Sequence, residues 1–439
     1  MIVELLNTGS ELMLGRVLNT HQQWLCRRLA DLGYLVTRQV AVADTVHDIE
    51  QAVREALSRA DLVIVTGGLG PTSDDLTRDR VAQLLGRKLQ EDPAVLAHIQ
   101  QFFEVRHRAM PEQTRVQAQV PEGAIVLPNP HGTAPGLALE ISPPAAQNST
   151  SSKTENPRFG KEHSASSLAK WLVMLPGPPR ELRPMFTDSV VPLLQRVLPP
   201  PGSFVCRTLK ATGIGESVVE EKIAEPLQPL IAAGLELGYC ARPGQVDVRL
   251  AAQGPDAAHT VSQAEQVVRE RIGPFIYGLD EEELETIIVR LLTERKETLA
   301  LAESCTGGCI AHRITNVPGA SAVLLAGLVT YSNAAKQRFL RVRAETLAEH
   351  GAVSEPVARQ MAEGAREQTG ATYALSVTGI AGPSGGTPAK PVGTVFIGLA
   401  GPFETVVTRY LNPLDRETFK QITAQQALEL LRQRVEREA

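Results

Sequence analysis

The stretch that decides the fold is DLVIVTGGLGPTSDD at residues 61–75, an apolar run followed by a glycine-rich turn and two acids. A short apolar run that is bounded by turn residues is typical of a buried strand. Residues 374–386 read ALSVTGIAGPSGG and repeat the arrangement. The chain therefore uses the turn Thr-Gly-x-x-Gly-Pro twice, each time after an apolar strand.

Strand and helix patterns alternate around the first stretch. Apolar residues 2–8 precede a helical pattern at 20–33, a strand pattern at 34–42 and a second helical pattern at 48–60. Strands that alternate with helices predict βαβ units and a parallel sheet. Continuous apolar strands such as LVIV fit a sheet that is covered on both faces. We therefore predict an α/β fold.

The length of 439 residues suggests about three domains. We predict a first domain at 1–200, a small α+β unit at 203–275 and a second α/β domain at 280–439. Residues 143–170 interrupt the first domain with many Ser, Asn and Pro residues and almost no large apolar ones. Such a segment buries too little to offset its ordering entropy, so we expect a mobile surface insertion there.

Composition limits the classes of partner. Hydrophobic residues make up 43% and charged residues 21%, as in a soluble globular protein. The net charge of −5 gives no electrostatic reason to expect nucleic acid or an acidic membrane. No apolar stretch approaches the roughly 20 residues of a membrane helix, and the start lacks the basic region of a secretory signal. We expect a cytoplasmic protein that binds neither membranes nor, directly, nucleic acids.

The first glycine-rich turn is suited to a phosphate group. Ligands of open α/β sheets bind beyond the carboxyl ends of the strands, where glycines let backbone N–H groups approach an anion. The turn has neither the ending of a P-loop nor the spacing of GxGxxG. The residues that we predict to hold the anion are Thr66, Gly67, Gly68, Gly70 and Thr72.

Two acids follow this turn, Asp74 and Asp75. They either complement the dipole of the next helix or hold a cation, since acids beside a phosphate would repel it without one. Oxygen ligands next to a diphosphate suit Mg²⁺ or a similar divalent metal. Glu11, after the first strand, is a third candidate ligand at the same edge of the sheet. Both interpretations stay open at this point.

Four motifs of the first domain carry a family resemblance. TGSELMLGRVLNT, TGGLGPTSDDLTRD, PNPHGTAPG and LPGPPRELRPMF resemble the molybdopterin-binding-like domain of the CinA (competence/damage-inducible protein A) family. The resemblance implies a MogA-like αβα fold and a metal-dependent ADP-ribose pyrophosphatase. The same fold also binds molybdopterin, so fold alone does not select the ligand. Asn129, Gly132 and Thr133 form a second loop that we expect to complete the pocket.

The last domain contains residues that suit an amide hydrolase. Ser321 follows a Pro-Gly turn, and Lys336 lies fifteen positions later. A serine becomes a nucleophile when a base takes its proton, and a lysine of lowered pKa is such a base. Backbone donors of the turn at 306–308 would hold a phosphate or an oxyanion. Sequence order alone does not select this pair among the many serines and lysines.

A second resemblance does select the pair. AESCTGG, PGASA, GLVTYSNAAK and SVTGIAGPSGG resemble the CinA C-terminal domain, which is similar to nicotinamide mononucleotide (NMN) amidohydrolases. The resemblance implies that NMN and water give nicotinate mononucleotide and ammonia without a metal. It implies Ser321 as nucleophile, Lys336 as base and Thr378 as a supporting hydroxyl. The substrate-binding residues that it implies are Ser304, Thr306, Gly307, Gly308, Tyr331, Gly379, Gly382 and Arg416.

The middle unit resembles the KH-like module of the same family. It lacks a GxxG clamp with basic flanks, so we expect a spacer or dimerisation role and no RNA binding. We expect a homodimer that acts on NMN and ADP-ribose in pyridine-nucleotide salvage. The alternatives are a molybdopterin- or nucleotide-binding protein without catalysis at its first site, and an accessory protein of competence or DNA damage.

Overall fold

The computed structural model describes residues 1–141, 169–200 and 202–437. The insertion predicted at 143–170 lies outside these residues, except for its last two positions. The chain forms two compact units, which comprise Met1–Val205 with Gln253–Pro255, and Cys206–Ala252 with Asp256–Ala439.

The first unit is built on a six-stranded sheet. The eight described strands of this unit are β1 (Val3–Thr8), β2 (Val36–Val42), β3 (Leu62–Thr66), β4 (Leu89–Glu91), β5 (Gln119–Pro121), β6 (Ile125–Leu127), β7 (Gly136–Ile141) and β8 (Lys170–Leu175). The sheet order is β2-β1-β3-β8-β7-β6, while β4 and β5 pair separately. β2, β1, β3 and β8 are parallel, as predicted. β7 runs antiparallel to both of its neighbours, β8 and β6. The loop between β6 and β7 is too short for a parallel crossover.

Helices cover both faces of this sheet. They are α1 (Ser10–Met13), α2 (Thr20–Asp31), α3 (Val46–Arg59), α4 (Thr77–Leu84), α5 (Pro93–Glu104), α6 (Pro179–Met185) and α7 (Val191–Val197). Alternate residues of β3 enter two cores, with Ile64 packed among α2, α6 and α7 and Val65 packed among α3, α4 and α5. The first unit is therefore the three-layer αβα fold that the sequence predicts.

A four-stranded sheet follows along the chain. Its strands and helices are β9 (Phe204–Thr212), α8 (Glu216–Ala232), β10 (Glu236–Arg242), β11 (Gln245–Gln253), α9 (Ala257–Ile272) and β12 (Ile276–Leu279). The order is β10-β11-β9-β12. β10 and β11 form the predicted hairpin, in which Arg242 pairs with Gln245 across the turn.

The remaining elements form a second α/β layer structure. They are α10 (Leu284–Arg295), β13 (Leu299–Glu303), α11 (Cys309–Thr315), β14 (Leu324–Val329), α12 (Asn333–Leu340), α13 (Ala344–His350), α14 (Glu355–Thr369), β15 (Tyr373–Gly379), β16 (Thr394–Ala400), β17 (Thr405–Leu411) and α15 (Arg416–Arg437). The order is β14-β13-β15-β16-β17, and the first three strands are parallel. The carboxyl ends of β14, β13 and β15 therefore meet at one edge.

Helices also cover both faces of this sheet. α10, α11 and α15 pack on one core, and α12, α13 and α14 pack on the other. Short helical turns of other types lie at Glu112–Ala118, Phe186–Val190, Gly273–Phe275 and Ala320–Ala322. In the part of the chain that the structure describes, none of the helices is both long and apolar enough to cross a membrane.

Candidate active sites

The first glycine-rich turn opens onto a pocket of about 380 Å³ at the carboxyl ends of β1, β3 and β8. Of the residues predicted to hold an anion, Gly67, Gly68 and Gly70 line this pocket. Gly68 has φ +67°, and a Cβ on it would lie 2.1 Å from Thr77 Oγ1. Only glycine combines this left-handed backbone with so close an approach.

The N–H groups of this turn differ in availability. Gly67 N donates to Leu175 O, whereas the N–H groups of Gly68, Leu69 and Gly70 have no hydrogen-bond partner among the residues described. Three neighbouring free donors at the end of a strand form a cradle for an anion. The structure therefore has the open backbone that the sequence predicted here.

The two threonines predicted to contact the anion have other bonds. Thr66 Oγ1 donates to Asn7 Oδ1 at 2.9 Å. Thr72 donates to Asp75 Oδ2 from both its backbone N and its hydroxyl. Neither threonine lines the pocket. Both threonines therefore serve bonds within the protein, and contact of either with a ligand stays a prediction.

The pocket is strongly acidic. Five carboxylates line it, those of Glu11, Asp44, Asp74, Asp75 and Glu181. Within the described ranges no three His, Cys, Asp or Glu side chains form a ready-made metal site. Mg²⁺ is usually held by only one or two carboxylates together with substrate phosphates, so this donor set fits a metal that arrives with a diphosphate. Asp44, Glu181 and a buried lining residue, Gln117, were not predicted from the sequence.

The second loop contributes less than predicted. Thr133 lines the pocket, but Asn129 and Gly132 do not. Asn129 Nδ2 donates to Glu181 Oε2 at 2.8 Å, and a Cβ on Gly132 would lie 2.0 Å from the same oxygen. These two residues position Glu181, because one binds its carboxylate and the other leaves room for it.

Lys336 is the centre of the second site. Its side chain is 1% exposed, and Nζ lies 3.0 Å from Ser304 Oγ, 2.7 Å from Thr330 O and 3.4 Å from Tyr331 O. The two carbonyl oxygens can only accept. A neutral amine has two N–H bonds for them and one lone pair, which then accepts the Ser304 hydroxyl proton.

Burial makes this neutral form accessible. Desolvation lowers the pKa of Lys336 from its ordinary value, and no ion pair within the described ranges holds its ammonium group. Burial also raises the pKa of the neighbouring Cys305 thiol to about 12, so this thiol stays protonated and supplies no negative charge. Lys336 therefore combines the geometry and the environment of a general base.

The predicted pairing of Ser321 with Lys336 is not formed. Ser321 is exposed and precedes the start of β14, whereas Lys336 follows the end of that strand. β14 is about 17 Å long, because five rises of about 3.3 Å join its six residues, and no hydrogen bond joins Ser321 to Lys336 among the described residues. Ser304 takes the place beside Lys336, because it directly follows β13 and Glu303 pairs with Val329 of β14.

Thr378 lies near the end of β15, as predicted, and its hydroxyl has a partner within the protein. Its hydroxyl donates to Ala352 O at 2.8 Å, so the proton already serves a structural bond. Beyond it, Ile380 N donates to Thr394 O and extends the pairing of β15 with β16. A Cβ on Gly379 would lie 2.9 Å from the same carbonyl oxygen. The start of the second Thr-Gly turn is therefore part of a strand ladder, whereas the N–H groups of Gly382, Ser384 and Gly385 have no partner among the described residues.

The backbone donors of the turn before α11 are occupied. Glu303 is 1% exposed, and its carboxylate accepts from the backbone N of Gly308, Ile310 and Ala311. Gly307 N donates to Ser304 O, and Cys309 N donates to Thr306 O. Every N–H from 307 to 311 is thus used inside the protein. The N–H groups of Gly307 and Gly308 therefore have partners within the protein, whereas the buried hydroxyl of Thr306 has none among the described residues, and substrate contact at this turn stays a prediction.

Arg416 contacts two other residues that the family resemblance implies for substrate binding, Tyr331 and Gly382. It donates to Tyr331 Oη at 2.8 Å and to Gly382 O at 3.0 Å. Arg416 also lines a cavity of about 390 Å³ with Cys309, Glu417, Lys420 and Gln421. Lys420 was missed in the sequence, where only its spacing of four residues from Arg416 on a helix indicates a shared face.

Family comparisons cover most of the chain. Residues 4–196 match the "Probable molybdopterin binding domain", 206–278 the "Damage-inducible protein CinA KH domain" and 281–435 the "CinA C-terminal domain".

Two curated relatives match this chain over most of its length and of their own. A protein of Symbiobacterium thermophilum that is named for competence-damage induction is 47% identical over 407 residues, which cover 91% of this chain and 89% of that protein. A CinA-like protein of Akkermansia muciniphila is 43% identical over 429 residues, covering 97% of this chain and 95% of its own length. The crystal structure of a competence/damage inducible protein from Agrobacterium tumefaciens is 41% identical, covers 34% of this chain and 91% of its own, and has a TM-score of 0.33. The chain therefore belongs to the CinA family, with a molybdopterin-binding-type domain, a KH domain and a CinA C-terminal domain in that order.

Proposed function

We propose that the C-terminal domain is an amidohydrolase that converts NMN and water to nicotinate mononucleotide and ammonia. The observation that supports it is the buried contact of 3.0 Å between Lys336 Nζ and Ser304 Oγ. A serine next to a desolvated lysine is an activated nucleophile. In this proposal Ser304, and not Ser321, attacks the substrate.

The reaction follows from this geometry. Lys336 takes the hydroxyl proton as Ser304 Oγ attacks the carboxamide carbon. The ammonium so formed lies beside the developing oxyanion and stabilises it by charge. It then returns the proton to the departing nitrogen, which leaves as ammonia. The acyl group remains as an ester on Ser304. A water molecule activated by neutral Lys336 hydrolyses the ester and frees nicotinate mononucleotide.

Ammonia release from NMN tests this proposal. We expect Ser304→Ala and Lys336→Met each to lower kcat at least about a hundredfold, a typical contribution of such groups. Ser321→Ala is the matched control, which we expect to keep kcat within about twofold because it lies at the other end of β14. Loss of activity in Ser321→Ala with retention in Ser304→Ala would reverse the assignment.

We propose that the first site is a metal-dependent ADP-ribose pyrophosphatase. The free N–H groups of Gly68, Leu69 and Gly70 would bind diphosphate oxygens, and Glu11 and Asp74 would hold the cation that offsets the acidic pocket. A bound divalent metal would neutralise phosphate charge and activate water. Thr72 bonds the carboxylates of both Asp74 and Asp75, so both acids keep the candidate role that the sequence gave them.

Cleavage of ADP-ribose with and without a chelator tests this second activity. We expect cleavage to stop in chelator and to return when Mg²⁺ or Mn²⁺ is added in excess. Ammonia release from NMN in the same samples is the control, and we expect it to be unaffected. Undiminished cleavage in chelator contradicts the metal role, and tight ADP-ribose binding without cleavage favours the binding-protein alternative.

A further inference from the structure

We propose that Lys420 and Arg416 form a subsite for a phosphate monoester at the mouth of the Ser304–Lys336 site. This inference rests on the proposed amidohydrolase. It concerns the phosphate of the substrate, which lies away from the bond that reacts. Lys420 is assigned a substrate-binding role that neither the motifs nor the family resemblance indicated.

The turn before α11 offers an anion few backbone donors. The N–H groups of residues 307–311 donate to Glu303 or to carbonyls of the same turn. Ile380 N, after Thr378, donates to Thr394 O. Cationic side chains beside the turn before α11 are therefore the candidates to bind a phosphate there.

Two cations converge on the cavity of about 390 Å³. Arg416 and Lys420 are four residues apart in the first turns of α15, so they share one face of the helix. Arg416 donates only to uncharged partners, Tyr331 Oη and Gly382 O, and its charge remains unneutralised. Lys420 is partly buried and has no hydrogen bond or ion pair with any residue that the structure describes.

Acidic groups near the cavity do not cancel these charges. Glu417 lines the cavity, but no ion pair joins it to Lys420 or Arg416 within the described ranges. Asp415 accepts from the backbone N of Glu417 and Thr418 and so caps the start of α15. Among the side chains that line the cavity two are cationic and one is anionic, so the lining itself carries a net positive charge.

Two contacts connect the cations of the cavity to the neighbourhood of the catalytic pair. Tyr331 accepts from Arg416 through its hydroxyl and lies next to Lys336 through its backbone carbonyl. Lys420 Nζ lies 3.9 Å from the point that a Cβ on Gly307 would occupy, three residues after Ser304. A substrate with a carboxamide at one end and a phosphate at the other can therefore reach both groups. A nicotinamide nucleotide has this form, and its nucleoside lacks the phosphate.

Kinetics with NMN and with nicotinamide riboside test the subsite. We expect Lys420→Gln to raise KM for NMN about tenfold or more and to leave kcat within about twofold, because a charged hydrogen bond to the phosphate is lost. We expect kcat/KM for nicotinamide riboside to be unchanged. Lys222→Gln is the matched control, since Lys222 is exposed on α8 and lies outside the cavity.

Equal losses with NMN and the riboside, or no change with either, would overturn the subsite. Calorimetry with nicotinate mononucleotide and nicotinate riboside separates this result from failure of the proposed reaction. We expect Lys420→Gln to weaken binding of the nucleotide about tenfold and not that of the nucleoside, whether or not the protein turns over NMN. Equal affinity of parent and variant for the nucleotide rejects the role of Lys420.

Discussion

At the residue scale, individual side chains decide what similar turns can bind. The turn after β3 keeps three free N–H groups, whereas Glu303 occupies the donors of the turn before α11. The sequence shows glycines and small residues in both places. It does not show that Glu303 folds back onto the turn, because this contact depends on the direction in which α11 leaves the sheet.

The protonation of Lys336 predicts a pH dependence. Burial lowers its pKa from the ordinary value of 10.5, and only the neutral amine accepts the Ser304 proton. We therefore expect kcat/KM for NMN to fall as pH decreases through the lowered pKa and to level off above it. The measurement is kcat/KM from about pH 6 to about pH 10. A profile that is flat or that falls with rising pH over this range contradicts a lysine base.

At the element scale, the ends of three strands that carry candidate site residues could be predicted from the sequence. Apolar runs and turn residues correctly predicted that β3, β13 and β15 end at Thr66, Glu303 and near Thr378. Ser321 was named as the nucleophile from the family resemblance, and no hydrogen bond among the described residues joins it to Lys336. Whether a residue precedes or follows β14 decides the edge on which it lies, and this requires the boundaries of the strand.

Close packing of two helices near Lys336 gives a prediction about stability. A Cβ on Gly364 of α14 would lie 1.9 Å from Leu340 O at the end of α12, the helix that carries Lys336. We expect Gly364→Ala to lower the free energy of unfolding by about 1–3 kcal/mol through overpacking, measured by urea denaturation.

Gly273→Ala is the matched control for this substitution. Gly273 has φ −45°, and nothing lies within 4 Å of its Cβ position. We expect its effect to stay within about 0.5 kcal/mol. Equal unfolding midpoints for the two variants would show that α14 and α12 can separate without cost.

At the scale of the whole molecule, the two candidate sites lie in different compact units. Their chemistry also differs, since an acidic pocket with free N–H groups suits a metal-bound diphosphate and a buried lysine suits an amide. The αβα fold, the hairpin and the family were predictable from the sequence. The acids Asp44 and Glu181 were not, because folding brings them to the pocket from distant segments.

Separate sites predict separable losses of activity. We expect Ser304→Ala to abolish ammonia release and to keep ADP-ribose cleavage within about twofold. We expect Asp74→Asn to lower ADP-ribose cleavage at least about tenfold and to leave ammonia release unchanged, as for independent sites without shared partners. Parallel assays of both reactions on both variants provide the check, and a joint loss in either variant contradicts independence.

The identity of the acylated serine tests the central claim most directly. Turnover of NMN is quenched in acid and the protein is digested, so that mass spectrometry locates the ester of nicotinate mononucleotide on a peptide. With Ser304 as nucleophile and Lys336 as base, we expect the added mass on Ser304 and its absence in Lys336→Met. An ester on Ser321 in the parent protein would show that Ser321 is the nucleophile.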